Sequence, residues 1–166
     1  MKVTPWGIRK GLTWIHNHYG NMPIYITENG ISDRNGSQQD DHRIYYYKHY
    51  INNVLKAIRL DDVNVKGYTA WSLMDNLEWM RGYTERFGLH YVDFSDPERP
   101  RTPKASARYI KQLIEDNGFF PDRNKPTDSP PAVIRTLSPC TSSGTNCKIS
   151  TLILLLILCF AKLVML

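Results

Sequence analysis

The sequence predicts an α/β fold in its first 120 residues or so, because helical and strand-like segments alternate there. Two short runs, Ile24–Thr27 and Val65–Leu73, are rich in β-branched and aromatic residues. Three amphipathic segments of ten or more residues surround them, an order typical of parallel βαβ units. Two parallel strands do not make a stable sheet alone, since such sheets are covered on both faces. We therefore expect this region to be a slice of a larger fold.

The first helix is predicted at Ile8–Tyr19, where apolar residues recur three or four positions apart and Gly20 follows as a stop signal. The strand Ile24–Thr27 comes next and ends at the turn signal Asn29-Gly30.

A polar loop then leads to the second helix, for which Asp40 or Asp41 is the predicted N-cap. Its predicted buried stripe consists of Ile44, Tyr47, Ile51, Val54 and Ile58.

The second strand, Val65–Leu73, leads into the segment "MDNLEW". Arg86–Phe94, "RFGLHYVDF", is predicted to form a short hairpin-like excursion. Prolines are then expected to interrupt regular structure before a last helix at Lys104–Asn117, which Gly118 ends. These prolines are Pro97, Pro100 and Pro103.

The composition divides the chain into three parts. Residues 1–120 have the pattern of a folded domain, whereas residues 121–148 are rich in Pro, Ser and Thr and are predicted to be a disordered linker. Residues 149–166 form an apolar tail, interpreted as a GPI-attachment signal, as a single membrane-spanning segment, or as frame-shifted sequence. The N-terminus has no apolar signal-peptide core, so an extracellular or cell-surface location is expected only for a longer parent protein.

Charge and cysteine usage exclude several classes of function. The net charge of +5 is scattered, and without a Lys/Arg-rich block nucleic-acid binding is not expected. The five histidines lack metal-ligand spacing, so we expect no metal site. All three cysteines lie near the C-terminus, at Cys140, Cys147 and Cys159, and cannot crosslink the folded part.

Polar and aromatic residues occur where each predicted strand ends. "PIYITENG" places Glu28 at the end of the first strand, where it opens into a loop, and "GYTAWSLMDNLEW" places Trp71 near the end of the second strand and Glu78 and Trp79 in the loop that follows. Carboxylates bind sugar hydroxyls and indole faces pack on sugar C–H groups, so this combination suits carbohydrate chemistry. Taken singly, Glu28 could be an exposed residue at a strand-to-turn junction and the tryptophans could be core residues.

Together, "PIYITENG" and "AWSLMDNLEWMRGYTERFGLHYVDF" closely resemble glycoside hydrolase family 1, the family of β-glucosidases and lactase-like enzymes. The resemblance runs from about Val3 to Phe119. It implies the C-terminal quarter of a (β/α)8 TIM barrel, from its helix 6 to its helix 8, and hydrolysis of O-glycosyl bonds in β-glucosides or related β-glycosides with retention of configuration. No cofactor is implied.

The resemblance assigns roles to five positions. Glu28 matches the catalytic nucleophile. The substrate-binding positions are Glu78, which binds outer hydroxyls of the sugar; Trp79, whose indole N–H contacts another; Trp71, the aromatic floor; and Phe87, a wall residue. Leu77 departs conservatively from the usual Phe.

The family's acid/base carboxylate lies in a Thr-x-Asn-Glu-Pro motif that does not occur in these 166 residues. A retaining mechanism needs two carboxyl groups roughly 5 Å apart, so the fragment alone is expected to be inactive. The alternatives are a non-catalytic, klotho-like glycan-binding or receptor module, and a reading frame from a partial transcript. Preference for glucose or galactose, the aglycone and the oligomeric state are not predicted.

Overall fold

The computed structural model describes residues 2–119, which form an alternating α/β arrangement. The elements in chain order are helix α1 (Trp6–Tyr19), strand β1 (Ile24–Asn29), helix α2 (Asp41–Leu60), strand β2 (Val65–Ala70), a 3₁₀ turn (Trp79–Arg81), strands β3 (His90–Val92) and β4 (Arg101–Pro103), and helix α3 (Ala105–Glu115). The boundary near residue 120, the linker and the apolar tail lie outside the described residues. Among the helices of residues 2–119, none is both long and apolar enough to span a bilayer.

Strands β1 and β2 pair in parallel, as the βαβ pattern predicts, with α2 as the crossover. Ile24 pairs with Val65 and Ile26 with Tyr68. The side chains of Tyr25 and Lys66 are exposed, so the face that carries them is open within the described part of the chain.

The opposite side of this sheet packs against the helices in two apolar clusters. The first joins α1, α2 and the sheet through buried residues Leu12, Val54, Ala57 and Val63. The second joins α2, α3 and the segment before β3 through Ile31, Tyr46, Tyr47 and Leu89. Tyr68 packs against both clusters. The helices therefore hold the strand ends from one side.

Helix α1 begins after Pro5, whose ring fixes a helical φ of −62°, two residues earlier than predicted. It ends where predicted: Gly20 has φ 78°, and its N–H donates to the carbonyl of His16 at 2.9 Å.

The predicted stripe of α2 is largely confirmed. Tyr47 and Val54 are buried, and the half-buried Ile51 and Ile58 pack against the two clusters, whereas Ile44 is only half-buried. Arg43, Tyr46 and Ala57, which were not predicted, are also buried. Arg43 is buried because its guanidinium binds the Asp40 carboxylate and the carbonyls of Ile31 and Arg86.

Asp40 stands at the N-cap position of α2, but its side chain does not cap that helix. Its carboxylate pairs with Arg43 and accepts hydrogen bonds from the backbone N–H (2.8 Å) and hydroxyl (2.5 Å) of Ser106. Asp40 therefore joins the starts of α2 and α3.

The predicted hairpin at Arg86–Phe94 is also wrong. Only His90–Val92 is a strand, and its antiparallel partner is Arg101–Pro103, with His90 opposite Pro103. A proline is tolerated there because this two-stranded sheet needs no N–H donor on its outer edge. Helix α3 follows at Ala105–Glu115, close to the predicted range.

Candidate active site

Glu28 is the penultimate residue of β1, so the strand ends one residue beyond the strand end predicted at Glu28. The strand is extended because Asn29 pairs with Ala70 and its carbonyl accepts a hydrogen bond from the N–H of Trp71 at 2.8 Å. The Glu28 side chain is exposed. Its carboxylate therefore stands at the carboxyl edge of the parallel sheet, the edge at which α/β barrels place their active sites.

Strand β2 ends at Ala70, three residues earlier than predicted, because the backbone of the next residues finds other partners. The N–H of Ser72 donates to the carbonyl of Phe87 at 3.1 Å, and the carbonyl of Trp71 accepts from the hydroxyl of Tyr47, also at 3.1 Å. A side chain at Gly30 would lie 1.8 Å from the Trp71 carbonyl oxygen, so the two strand ends meet only because residue 30 is glycine.

Trp71 and Glu78 are in direct contact. The indole Nε1–H of Trp71 donates to Oε1 of Glu78 at 3.2 Å. Burial raises the pKa of the Glu78 carboxyl, the indole hydrogen bond opposes this shift, and the negative charge of Glu28 adds to it. The structure thus brings three predicted site residues, Glu28, Trp71 and Glu78, to one edge of the sheet.

Trp79 and Phe87 differ in how they are held. The Trp79 side chain is 88% exposed and its backbone has φ 47°, an uncommon conformation for a residue with a side chain. Phe87 is half-buried, and its carbonyl is bound by Ser72 beside the end of β2. The indole of Trp79 is presented to solvent, whereas Phe87 is fixed beside the segment that carries Glu78.

Two tyrosines support these strand ends, and sequence reasoning assigned neither to the site. Tyr47 is fully buried and donates to Trp71, as described above. Tyr68 on β2 donates to Oδ1 of Asn29 at 2.7 Å, next to Glu28. Burial raises the pKa of both phenols, so they are neutral donors at physiological pH.

Three buried charged residues near the site were also missed: Arg43, Asp75 and Lys104. Charged side chains usually mark a solvated face, so the sequence contained little sign of them. The one available signal was Arg43, which falls on the same helical face as Tyr47 and Val54.

Two cavities, of about 400 Å³ and 580 Å³, lie elsewhere on the surface, and none of the five predicted site residues lines them. Within residues 2–119, no three His, Cys, Asp or Glu side chains cluster closely enough to hold a metal ion.

Comparison with known proteins identifies the family. A sequence model of glycosyl hydrolase family 1 matches residues 1–119. Human lactase/phlorizin hydrolase is 55% identical over 118 residues, which are 71% of this chain and 6% of that protein. Human cytosolic beta-glucosidase is 48% identical over 118 residues, which are 70% of this chain and 25% of that protein.

The solved structure of an aphid myrosinase superimposes with a TM-score of 0.67 and 47% sequence identity, covering 68% of this chain and 24% of that one. The chain thus spans about a quarter or less of the length of these relatives. Its α/β fold is that of part of a TIM-barrel β-glucosidase. The match over residues 1–119 and the identities with these relatives show that the chain belongs to glycosyl hydrolase family 1.

Proposed function

We propose that this chain is the C-terminal quarter, helix 6 to helix 8, of a β-glycosidase that hydrolyses β-glucosides or related β-glycosides with retention of configuration. The observation that carries the proposal is the meeting of Glu28, Trp71 and Glu78 at the carboxyl edge of β1 and β2. This edge is where the active site of a βα barrel is built.

In the proposed reaction, a carboxylate oxygen of Glu28 attacks the anomeric carbon of the sugar. The bond from that carbon to the aglycone oxygen breaks, and a covalent glycosyl–enzyme intermediate forms. Water then attacks the same carbon and releases Glu28 as a carboxylate. Exposure of Glu28 supports this role, since a nucleophile must be reached by its substrate.

Glu78 and its neighbours would select the sugar. The Glu78 carboxylate can accept hydrogen bonds from two adjacent hydroxyls, and its contact with Trp71 holds it in one orientation. The Trp71 ring and Phe87 would form apolar walls of the subsite, and the exposed Trp79 indole would donate to a further hydroxyl.

Departure of the aglycone also requires a proton, which a second carboxyl group supplies in a retaining glycosidase. The Thr-x-Asn-Glu-Pro motif that would provide it is absent from these 166 residues. We therefore propose that turnover belongs to a longer parent protein and that this chain alone is inactive.

The test is to trap the intermediate in the parent protein with a 2-deoxy-2-fluoro β-glycoside and to locate the label by peptide mass spectrometry. The label is expected on Glu28, because the fluorine slows both steps, while an activated leaving group such as dinitrophenolate on the probe keeps formation of the intermediate faster than its hydrolysis. Glu28→Gln should abolish labelling and lower kcat by several orders of magnitude without unfolding the protein. A label on another residue, or hydrolysis with inverted configuration, would refute the proposal.

The non-catalytic glycan-binding alternative makes a different prediction in the same experiment. A binding module needs no nucleophile, so it would bind the fluoro-glycoside reversibly and leave Glu28 unmodified. The presence of Glu28 and of its supporting residues Asn29 and Tyr68 favours the enzyme.

We also propose that the apolar C-terminal residues attach the parent protein to a membrane at the cell surface. Thr151–Leu166 contains a single charged residue, Lys162, which supports either a lipid-anchor signal or a spanning segment. Partition of the mature protein into a detergent phase, abolished by a phosphatidylinositol-specific phospholipase, would identify the lipid anchor. Partition into the aqueous phase before any treatment would refute membrane attachment.

A further inference from the structure

Asp75 lies in the segment between β2 and Glu78 and is only 2% exposed. Its carboxylate is surrounded by four donors. Oδ1 accepts from Lys104 Nζ at 2.8 Å and from the N–H of Gly88 at 2.9 Å. Oδ2 accepts from Arg86 Nη1 at 3.0 Å and from the N–H of Val92 at 3.4 Å. This buried group has no part in the reaction described above.

Two of the four donors around Asp75 belong to the segment that carries Phe87. Arg86 and Gly88 are the two neighbours of Phe87 in the chain, and both bind the Asp75 carboxylate. Glu78 follows Asp75 by three residues on the other segment. The Asp75 side chain thus links the Arg86 guanidinium and the Gly88 backbone N–H, on the two sides of Phe87, to the loop that presents Glu78.

Backbone hydrogen bonds pair the same two segments at Asp75 and at Ser72, three residues before it. The N–H of Leu89 donates to the carbonyl of Ser72 at 2.8 Å, and the N–H of Asp75 donates to the carbonyl of His90 at 2.9 Å. A Cβ at Gly88 would lie only 2.0 Å from the backbone nitrogen of Asp75. The two backbones are therefore in close contact at this point, where Asp75 can fix their relative position.

The partners of Asp75 are themselves held in place. The Lys104 side chain is fully buried, and burial lowers its pKa while the hydrogen bond to Asp75 raises it. The Arg86 guanidinium lies over the rings of Tyr91 at 4.8 Å and Phe94 at 5.3 Å, and it also donates to the carbonyl of Val92 at 3.0 Å.

Stability alone is a weak reason for such an arrangement, because desolvation of a buried ion pair offsets much of its attraction. Well-connected buried polar networks instead impose one geometry on the groups they join.

We propose that Asp75 is a positioning residue of the sugar site: by binding Arg86, Gly88 and Lys104 it sets the position of Glu78 relative to Phe87 and Trp71. The inference rests on the proposed function for the role of Glu78 and Phe87 in sugar binding. Asp75 acts through these residues and does not itself contact the sugar.

The test uses the full 166-residue chain and the indole N–H resonance of Trp71 in a ¹H–¹⁵N NMR spectrum. Because this N–H donates to Glu78, its chemical shift reports the ionisation of Glu78 when the pH is raised. Trp71→Phe assigns the resonance, and Glu78→Gln should remove its titration. Trp6 and Trp14 on α1 serve as internal references for global changes.

Asp75→Asn is expected to reduce the pH-dependent shift of the Trp71 indole to less than about half of its wild-type amplitude, because the loop no longer holds Glu78 against the indole. The shifts of Trp6 and Trp14 should keep their wild-type values. Asp61→Asn is the matched control: it removes another hydrogen-bonded carboxylate, the partner of Arg9, which precedes the start of β2, whereas Trp71 follows the end of that strand. It should retain the full Trp71 titration.

If Asp75→Asn fails to fold, the Trp71 titration is measured in Lys104→Met instead. This variant removes one donor from Asp75 and keeps an apolar side chain of similar length. In Lys104→Met the amplitude of the pH-dependent Trp71 shift is expected to fall below the wild-type value, but by less than in Asp75→Asn. A wild-type Trp71 titration in either folded variant would overturn the proposal.

This outcome is independent of catalysis. Loss of the Trp71 titration in Asp75→Asn, together with no labelling of Glu28 in the parent protein, would refute the enzymatic proposal. The role of Asp75 in positioning Glu78 would still be supported. Labelling of Glu28 together with an unchanged Trp71 titration would refute the role of Asp75 alone.

Discussion

Gly88 is buried where two segments of the site cross, and its lack of a side chain makes that crossing possible. An added Cβ would lie 2.0 Å from the backbone nitrogen of Asp75 and 2.6 Å from the carbonyl oxygen of His90. Both neighbours are backbone atoms that are engaged in hydrogen bonds, so neither can move without breaking the pairing.

Gly88→Ala is therefore expected to lower the free energy of unfolding by about 1–3 kcal/mol or more. Gly11→Ala is the matched control, because a Cβ there meets nothing within 4 Å and lies inside α1. The control should raise stability by roughly 0.5–1 kcal/mol, since alanine favours a helix more than glycine does. Urea unfolding followed by circular dichroism measures both, and equal stability of the two variants would contradict the steric argument.

Other single residues act by hydrogen bonding at the site. The neutral phenol of Tyr47 donates a hydrogen bond to the Trp71 carbonyl after the end of β2. The neutral phenol of Tyr68 donates to the side chain of Asn29, next to Glu28. A phenol whose pKa is raised by burial keeps its proton over the whole physiological range, so these contacts do not change with pH.

At the scale of elements, helix α1 is tied to the end of α2 by Arg9 and Asp61. The guanidinium binds both carboxylate oxygens at 2.7 Å, and the hydroxyl of Thr13 donates to the same carboxylate at 3.0 Å. The hydrogen bond from Arg9, together with that from Thr13, lowers the pKa of Asp61 from 3.8 to about 2 against the opposing effect of burial. Such bidentate geometry is the most favourable one for an arginine–carboxylate pair.

The pH dependence of stability follows from this shift. A carboxyl group with a lowered pKa in the folded state contributes stability above its unfolded pKa, near 3.8, and loses it as the pH falls towards about 2. Asp61→Asn is therefore expected to flatten the loss of thermal stability over that acid range relative to the wild type. Arg9→Gln, which removes the first donor, should flatten it as well.

Thermal midpoints measured by circular dichroism across that pH range check this prediction. If the thermal midpoint falls with decreasing pH as steeply in Asp61→Asn as in the wild type, another group causes the loss of stability.

Loops of the site are organised by elements distant in the chain. Asp40 at the start of α2 binds Ser106 at the start of α3, and Arg43 of α2 donates to the carbonyls of Ile31 (3.2 Å) and Arg86 (2.8 Å). Helix α2 thereby supports the loop after β1 and the segment before Phe87 at the same time. The helices are thus part of the support of the site as well as of the core.

For the whole molecule, the described part has one covered and one open face of its parallel sheet. Tyr25 is 63% exposed on the open face, although parallel sheets are normally covered on both. The matched region makes up 6% of human lactase/phlorizin hydrolase and 25% of human cytosolic beta-glucosidase, so residues 1–119 correspond to only a part of these relatives.

Since one carboxylate cannot both attack the sugar and protonate the aglycone, we predict that the purified 166-residue chain does not hydrolyse p-nitrophenyl β-glucoside. Hydrolysis is measured by the release of nitrophenolate, with Glu28→Gln as a control for contaminating glycosidases. Turnover by the wild-type chain that disappears in Glu28→Gln would contradict the prediction and would require another acid group within the chain.

Much of the fold and part of the site could be predicted before any coordinates. The order of helices and strands, the parallel pairing and the stop at Gly20 follow from local periodicity and turn chemistry, which act over a few residues. The placement of Glu28 beside Trp71 and Glu78 follows from the rule that parallel strands end at one edge. Membership of glycosyl hydrolase family 1 was likewise visible in two motifs.

The extent of β1, the true partner of β3 and the burial of Arg43, Asp75 and Lys104 depended on packing. Asp75 meets Lys104 across 29 positions, and Asp40 meets Ser106 across 66. Local sequence patterns do not predict such pairs, because a charged residue remains hydrated at the surface unless a partner from a distant segment compensates for the loss of its hydration. Local sequence preferences were thus sufficient to predict the elements and the family. Long-range contacts determined which charged residues are buried and which side chains support the site.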